Sequence, residues 1–203
     1  MNPSIHIVAI SGSLRAASSN TALLRAASSL APADLEIELF EDIDALPPFN
    51  PDREDELYED AGAGRYHTGL APDLAVVREL NERVRDAHGL LIACPEYARG
   101  VPGVFKNALD WLVGSNAFVA KPFALFNASP RASHAQDAVR LTLETMSGQL
   151  VEEACIVVPL LNRNLDARAI MADDTLAAPV RKALAAFTAA IKRHHQDCVN
   201  AAC

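Results

Sequence analysis

The feature that most restricts the fold is an apolar segment, residues 5–10, which ends abruptly in a polar loop. The loop, residues 11–19, holds four serines, one glycine and one arginine. A helical pattern begins directly after it, with apolar residues at positions 22–24. An apolar run of this length is typical of a strand, so the order predicts a strand, a loop at its carboxyl end and a helix.

This loop has the chemistry of a phosphate site. Backbone N–H groups at a helix start lack intrahelical partners, and the helix dipole favours an anion there. Hydroxyls and Arg15 add further donors. With Gly12 as its only glycine and no Gly-Lys-Ser/Thr sequence, the loop matches neither the dinucleotide fingerprint nor the P-loop. A single terminal phosphate, as in a mononucleotide, is therefore predicted; the alternative is a cluster of helix caps without a ligand.

Composition excludes several classes of protein. The chain has 203 residues, half of them hydrophobic, and a net charge of −8 with scattered basic residues. A nucleic-acid surface is not expected, and no apolar run approaches the length of a membrane span. No basic segment or cleavage site precedes the first strand, so a cytoplasmic location is expected. The four cysteines, at positions 94, 155, 198 and 203, lack metal-ligand spacing and predict reduced thiols and no metal site.

The rest of the chain alternates between strand and helix patterns. Further strands are predicted at 35–40, 89–94, 122–126 and 154–158, each separated from the next by a helical pattern. The segment 89–94 is apolar throughout, as in a parallel strand buried on both faces. We therefore expect residues 1–203 to form one α/β domain. It should contain a doubly wound, five-stranded parallel sheet of flavodoxin-like order 2-1-3-4-5.

Two regions do not follow this alternation. Residues 46–72 show no period and form a long insertion, which predicts a lid, a partner-binding arm or a solvated loop. Its candidate substrate contacts, in this chain's site or in that of a partner subunit, are Tyr58, Arg65, Tyr66 and His67. The six acids between positions 52 and 60 fit a solvated loop equally well.

The predicted helix after residue 101 carries more apolar residues than one buried stripe needs. These residues include Phe105, Leu109, Trp111 and Leu112. Because large exposed apolar patches usually mark interfaces, this excess predicts a subunit contact in a homodimer or homotetramer.

Three polar loops follow predicted strands and should meet at one edge of the sheet, where α/β proteins bind ligands. The first is Gly12-Ser13-Leu14-Arg15, with Ser18 and Asn20. The second contains Pro95-Glu96-Tyr97 and leads into residues 101–111, Val-Pro-Gly-Val-Phe-Lys-Asn-Ala-Leu-Asp-Trp. Together these motifs resemble the NAD(P)H-dependent FMN reductase family, and the match extends from the first strand to the third helix.

The resemblance implies that Ser13, Arg15, Ser18 and Asn20 hold the phosphate of FMN, while residues 95–99 lie along the isoalloxazine. The family often has Asn where this chain has Ala98, and its third loop is often richer in glycine than residues 127–134. The complete set of candidate cofactor-binding residues is Ser11, Ser13, Arg15, Ser18, Ser19, Asn20, Thr21, Pro95, Glu96, Tyr97, Ala98, Arg99, Ser129 and Arg131.

The resemblance also implies the reaction. NADPH or NADH reduces bound FMN, and a small-molecule acceptor then takes the electrons: a quinone, azo compound, flavin or metal oxyanion. No catalytic side chain is required, since Glu96 and His134 are better explained as partners of backbone amides and of a helix cap. The alternatives are a flavodoxin-type electron carrier and a non-catalytic flavin-binding module.

Overall fold

The computed structural model describes residues 5–201. For residues 198, 199 and 201 it describes the backbone alone. The helices are α1 Ser19–Leu30, α2 Glu54–Leu57, α3 Pro72–Asp86, α4 Gly103–Val113, α5 Ser133–Thr145, α6 Ala167–Ala172 and α7 Asp174–Ala201. The strands are β1 Ile5–Ser11, β2 Leu35–Phe40, β3 Tyr58–Asp60, β4 Arg65–Tyr66, β5 Gly89–Ala93, β6 Pro122–Asn127, β7 Gln149–Leu150 and β8 Ile156–Val157. Cys198 and Cys203, predicted to be reduced, lie outside the described side chains.

The main sheet is parallel, with strand order β2-β1-β5-β6 and with both β7 and β8 paired to β6. The neighbours of the four long strands agree with the predicted order. The prediction of five strands is wrong, because two short strands share the fifth position and give the sheet six. Between β7 and β8 the chain leaves the edge of the sheet in a turn at Glu152–Ala154. After this turn the Cys155 thiol, instead of a backbone carbonyl, accepts the N–H of Leu125 at 3.4 Å.

Both faces of the sheet are covered, as a doubly wound fold requires. Alternate residues of β1 face opposite sides: Val8 and Ile10 belong to the core under α3, α4 and α5, while Ile7 and Ala9 belong to the core under α1, α6 and α7. Burial on both faces explains why β1 and β5 read as continuous apolar runs.

The insertion is folded and covers α4. It contains a short 3-10 turn at Pro51–Arg53, α2, and the antiparallel pair β3-β4. The indole N–H of Trp111 donates to the carbonyl of Pro47 at 2.8 Å, and the ring of Phe49 meets the Trp111 ring edge-on, with centroids 5.0 Å apart. This arrangement explains the excess of apolar residues on α4 without a second subunit.

The reason for predicting a subunit contact through α4, an uncovered excess of apolar residues, is therefore wrong, while the contact itself stays a prediction. Phe105, Leu109, Trp111 and Leu112 are all at most 1 % exposed within the single chain.

Within residues 5–201 the structure contains no helix long and apolar enough to cross a membrane. Over the same residues, no three histidine, cysteine or acidic side chains are grouped so that they could hold a metal ion. Cys94 and Cys155 are free thiols.

Candidate active site

The loops after β1, β5 and β6 meet at the carboxyl edge of the sheet and enclose a cleft of about 460 Å³, which we call the main cleft. It is lined by Ser13, Arg15, Ala17, Ser18, Ser19, Asn20, Cys94, Pro95, Glu96, Tyr97, Asn127, Ala128, Ser129, Arg131, Ala132 and Leu161. The structure thus brings the three predicted loops together at the predicted edge.

Within the first loop, hydroxyls hold the backbone in place. Ser18 caps α1, since its hydroxyl accepts the N–H of Thr21 at 3.2 Å. The hydroxyls of Ser11 and Thr21 bond each other at 2.8 Å, and Ser11 also accepts the N–H of Ser13. Ser11 and Thr21 do not line the main cleft; they support the loop that does.

The close packing of this loop on β5 explains its single glycine. A Cβ on Gly12 would lie 2.8 Å from the Cys94 sulfur, so any side chain there would displace the loop from the strand. Burial raises the pKa of the Cys94 thiol to about 12, so the thiol is neutral at physiological pH.

Asn20 supplies the first sign of a ligand. Its side-chain oxygen is buried in the wall of the main cleft and has no hydrogen-bond partner among the described residues. Buried polar atoms are rarely left unpaired, because the lost hydrogen bond to water is costly. An amide oxygen accepts hydrogen bonds, so this atom suits a hydroxyl of a ligand at the start of α1.

The second loop contains a tight turn. Tyr97 and Gly100 exchange backbone hydrogen bonds of 3.1 and 2.9 Å, and between them Ala98 and Arg99 have φ of 50° and 62°. Left-handed backbone is unfavourable for residues with a Cβ, so this turn is strained. Ala98 and Arg99 form its tip and do not line the main cleft, whereas Pro95 does.

Glu96 links the second loop to the third. Its carboxylate accepts the N–H of Ala135 at 3.1 Å, in the first turn of α5. The N-cap position of α5 is Ala132, which has no side chain to serve this purpose. Glu96 therefore acts as the missing cap, which agrees with the predicted backbone role. His134 is exposed and does not line the main cleft.

The third loop is held by short side chains. Asn127 accepts the N–H of Ser129 at 2.8 Å, and Ser129 accepts the N–H of Arg131 at 3.2 Å. Ser129 and Arg131 line the main cleft, as predicted. Asn127, Cys94 and Leu161 also line it but were not among the predicted residues. Asn127 could have been found as the polar residue that ends an apolar strand; Leu161 has no local signal, because it arrives from the segment after β8.

The predicted contacts from the insertion are not found in this chain. Tyr58 is buried, and its ring packs on that of Tyr66 with centroids 5.1 Å apart. Arg65 pairs with Asp60, and His67 lies near Glu59. None of the four candidate residues lines the main cleft.

Some arginines at this end of the molecule differ from those on the rest of the surface in having no carboxylate or aromatic partner among the described residues. Within residues 5–201, four arginines contact neither a carboxylate nor an aromatic ring: Arg15, Arg99, Arg131 and Arg168. Arg15 and Arg131 line the main cleft, Arg99 is on the turn beside it, and Arg168 lines an adjoining cavity. A protein with an excess of acids thus leaves the unpaired arginines of its described residues around one site.

The model of the family described as NADPH-dependent FMN reductase matches residues 5–159. The chain belongs to the NADPH-dependent FMN reductase family. It is 31 % identical over 198 residues to an NAD(P)H-dependent FMN reductase of Pseudomonas aeruginosa, covering 95 % of this chain and 98 % of that one. It is also 37 % identical over 128 residues to a 2-hydroxy-1,4-benzoquinone reductase of a Burkholderia species, covering 62 % and 61 % of the two chains.

A solved structure supports the same assignment. FerB of Paracoccus denitrificans, described as a flavoenzyme NAD(P)H:(acceptor) oxidoreductase, superposes with a TM-score of 0.73 at 26 % identity, covering 94 % of this chain and 98 % of that one. The predicted family is therefore confirmed, and with it an oxidoreductase that uses FMN with NAD(P)H as electron donor.

Proposed function

We propose that the main cleft binds FMN with its phosphate at the start of α1 and its ring between the second and third loops. The observation that carries this proposal is the buried side-chain oxygen of Asn20, which lacks a donor among the described residues; a hydroxyl of the FMN side chain would supply it, with the phosphate beside it at a helix start that favours an anion. Ser13, Arg15, Ser18 and Ser19 surround the proposed phosphate position. A volume of about 460 Å³ falls in the range of small-molecule sites.

The ring would lie along Pro95, Glu96 and Tyr97 on one side and Ser129 and Arg131 on the other. Ala98 and Arg99, although predicted as cofactor contacts, stand outside the cleft wall, so we assign them to shaping the turn. Ser11 and Thr21 likewise support the phosphate loop through their mutual hydrogen bond.

Bound FMN supplies a ring that accepts a hydride and passes electrons to a second substrate. The chain's own residues provide position and environment. Tyr97 and Leu161 form apolar parts of the wall that would shield the ring from water, and the neutral Cys94 would add no charge to the site. Glu96 is committed to α5, so its role is to hold two loops together, and no side chain in the main cleft is required as an acid.

For the second substrate we propose a quinone. Relatives named 2-hydroxy-1,4-benzoquinone reductase and quinone reductase support this choice over azo compounds, flavins and metal oxyanions. A planar acceptor fits a cleft whose walls are loops facing each other across a flat ring.

We further propose that the chain forms one domain, is located in the cytoplasm and assembles into a homodimer or homotetramer. Sedimentation at micromolar concentration that shows a monomer would contradict the proposed assembly.

Two measurements on the purified protein test the function. The visible spectrum should show bound flavin, and anaerobic stopped-flow mixing with NADPH should bleach it. Subsequent mixing with a benzoquinone should restore the oxidised spectrum. An electron carrier without a donor site would keep its flavin oxidised in NADPH, and a binding module would bleach slowly and return electrons to no acceptor in particular.

A further inference from the structure

A second cavity of about 370 Å³, the side cleft, adjoins the phosphate end of the main cleft. The two share Ala17 and Ser18 as a common wall. The side cleft lies between the first helix and the segment that leads into α6, and it is lined by Ala16, Ala17, Ser18, Thr21, Ala22, Arg25, Asn164, Leu165, Asp166, Ala167 and Arg168. A molecule could extend from one cleft into the other over a wall two residues wide.

The walls of the side cleft combine apolar surface with cations. Leu165 and several alanines supply the apolar part. Arg168 is exposed and has no carboxylate partner within residues 5–201. Arg25 pairs with Glu41 at 2.8 Å, but both side chains are more than half exposed, and such pairs contribute little and exchange easily.

The one acid in this wall is already engaged. Asp166 accepts the N–H of Ala169 at 2.8 Å and caps α6, where the helix dipole offsets its charge. Asn164 has φ of 47°, so the chain bends sharply where it enters the wall. The side cleft therefore presents two guanidinium groups beside apolar surface, a combination that suits a phosphate attached to a flat heterocycle.

We propose that the side cleft binds an adenosine phosphate, as the far half of a dinucleotide whose near half occupies the main cleft. This inference rests on the proposed function, because the near half is the nicotinamide of NADPH, which would meet the flavin in the main cleft. The additional 2′-phosphate of NADPH is the group that Arg168 would contact.

The test compares Arg168→Gln with the matched control Arg163→Gln, both in the flavin-loaded protein. Arg163 lies five residues earlier and is also exposed, but it pairs with Asp173 and lines neither cleft. The first probe is adenosine 2′,5′-bisphosphate, titrated by calorimetry. Arg168→Gln should weaken its binding by about 10- to 100-fold, the range for a charged hydrogen bond, and Arg163→Gln should leave it unchanged.

A second arm uses the electron donor itself. Stopped-flow reduction should show a lower ratio of NADPH to NADH affinity in Arg168→Gln. The inference is overturned if Arg168→Gln leaves this ratio and the bisphosphate unaffected, or if Arg99→Gln produces the NADPH effect instead.

Failure of the proposed function would look different. A protein that binds no flavin would lack the visible spectrum from the start, yet the calorimetric titration would still report whether the side cleft takes an adenosine phosphate.

Discussion

At the scale of single residues, Arg15 offers the most direct test of the phosphate assignment. It is exposed, unpaired within residues 5–201, and lines the main cleft. Arg15→Ala should weaken FMN binding by about 10- to 100-fold, because one charged hydrogen bond to the phosphate is lost. Riboflavin, which lacks the phosphate, should bind wild type and variant equally in a fluorescence titration. A matching loss for riboflavin would place Arg15 against the ring rather than the phosphate.

Two variants of Glu96 distinguish a structural role of its side chain from a chemical one. Glu96→Ala removes the cap on α5 and should destabilise the protein by about 1 kcal/mol in urea unfolding. Glu96→Gln keeps an oxygen that can accept the Ala135 N–H, so most of that stability should remain. Neither variant should change the rate constant of flavin reduction at saturating NADPH. A large fall in that rate in Glu96→Gln, with folding intact, would show that Glu96 transfers a proton.

The strained turn predicts a substitution that stabilises. Ala98 has φ of 50°, and asparagine tolerates left-handed backbone better than alanine does. Ala98→Asn should therefore raise the free energy of unfolding by about 0.5–1 kcal/mol. Ala185, exposed within α7, is the control: there the same change should lower stability, because alanine is the better helix former. Equal changes in the free energy of unfolding at both positions would show that the left-handed backbone at Ala98 is not the cause.

At the scale of elements, the contact between α4 and the insertion depends on Asn107. Its side chain accepts the N–H of Phe49 at 2.7 Å and donates to the carbonyl of Pro47 at 2.9 Å. Asn107→Ala should cost about 1–3 kcal/mol and speed amide hydrogen exchange in the insertion, since the Phe49 N–H loses its partner and the Pro47 carbonyl keeps only the Trp111 indole N–H. Lys106→Ala, on the exposed side of the same helix, should do neither. Unchanged exchange in Asn107→Ala would mean that apolar packing alone holds the insertion.

The elements also show what sequence reasoning can reach. Strands β1, β2, β5 and β6 were predictable because burial leaves a clear apolar pattern, and the loops after three of them followed from parallel topology. The excess of apolar residues on α4 correctly indicated a covered face. It could not indicate whether the cover was another subunit or the insertion, since burial by either produces the same pattern. Strands of two residues, such as β7 and β8, are too short to show any period.

A similar limit applies to the candidate site. The phosphate loop was recognisable from hydroxyls, one glycine and the helix start, and five of its seven predicted residues line the main cleft. The two left-handed positions of the second loop, Ala98 and Arg99, hold neither glycine nor asparagine, so the residue types there did not reveal this backbone. Leu161 reaches the main cleft from a distant part of the chain, where the neighbouring Leu160 donates its N–H to the carbonyl of Ala128 at 3.1 Å.

At the scale of the whole molecule, charge is distributed unevenly, and this decides how salt should affect the reaction. The net charge of −8 repels an anionic dinucleotide, while the unpaired arginines around the two clefts attract it. At about 0.15 M ionic strength, charges more than about 8 Å away are largely screened, so the arginines that touch the ligand outweigh the distant acids. The second-order rate constant for flavin reduction by NADPH should therefore fall as salt is raised. Reoxidation by a neutral benzoquinone should stay constant, and Arg131→Gln should flatten the salt dependence of the NADPH reaction. A rate constant that rises with salt would show that repulsion by the acidic surface dominates the approach of the donor.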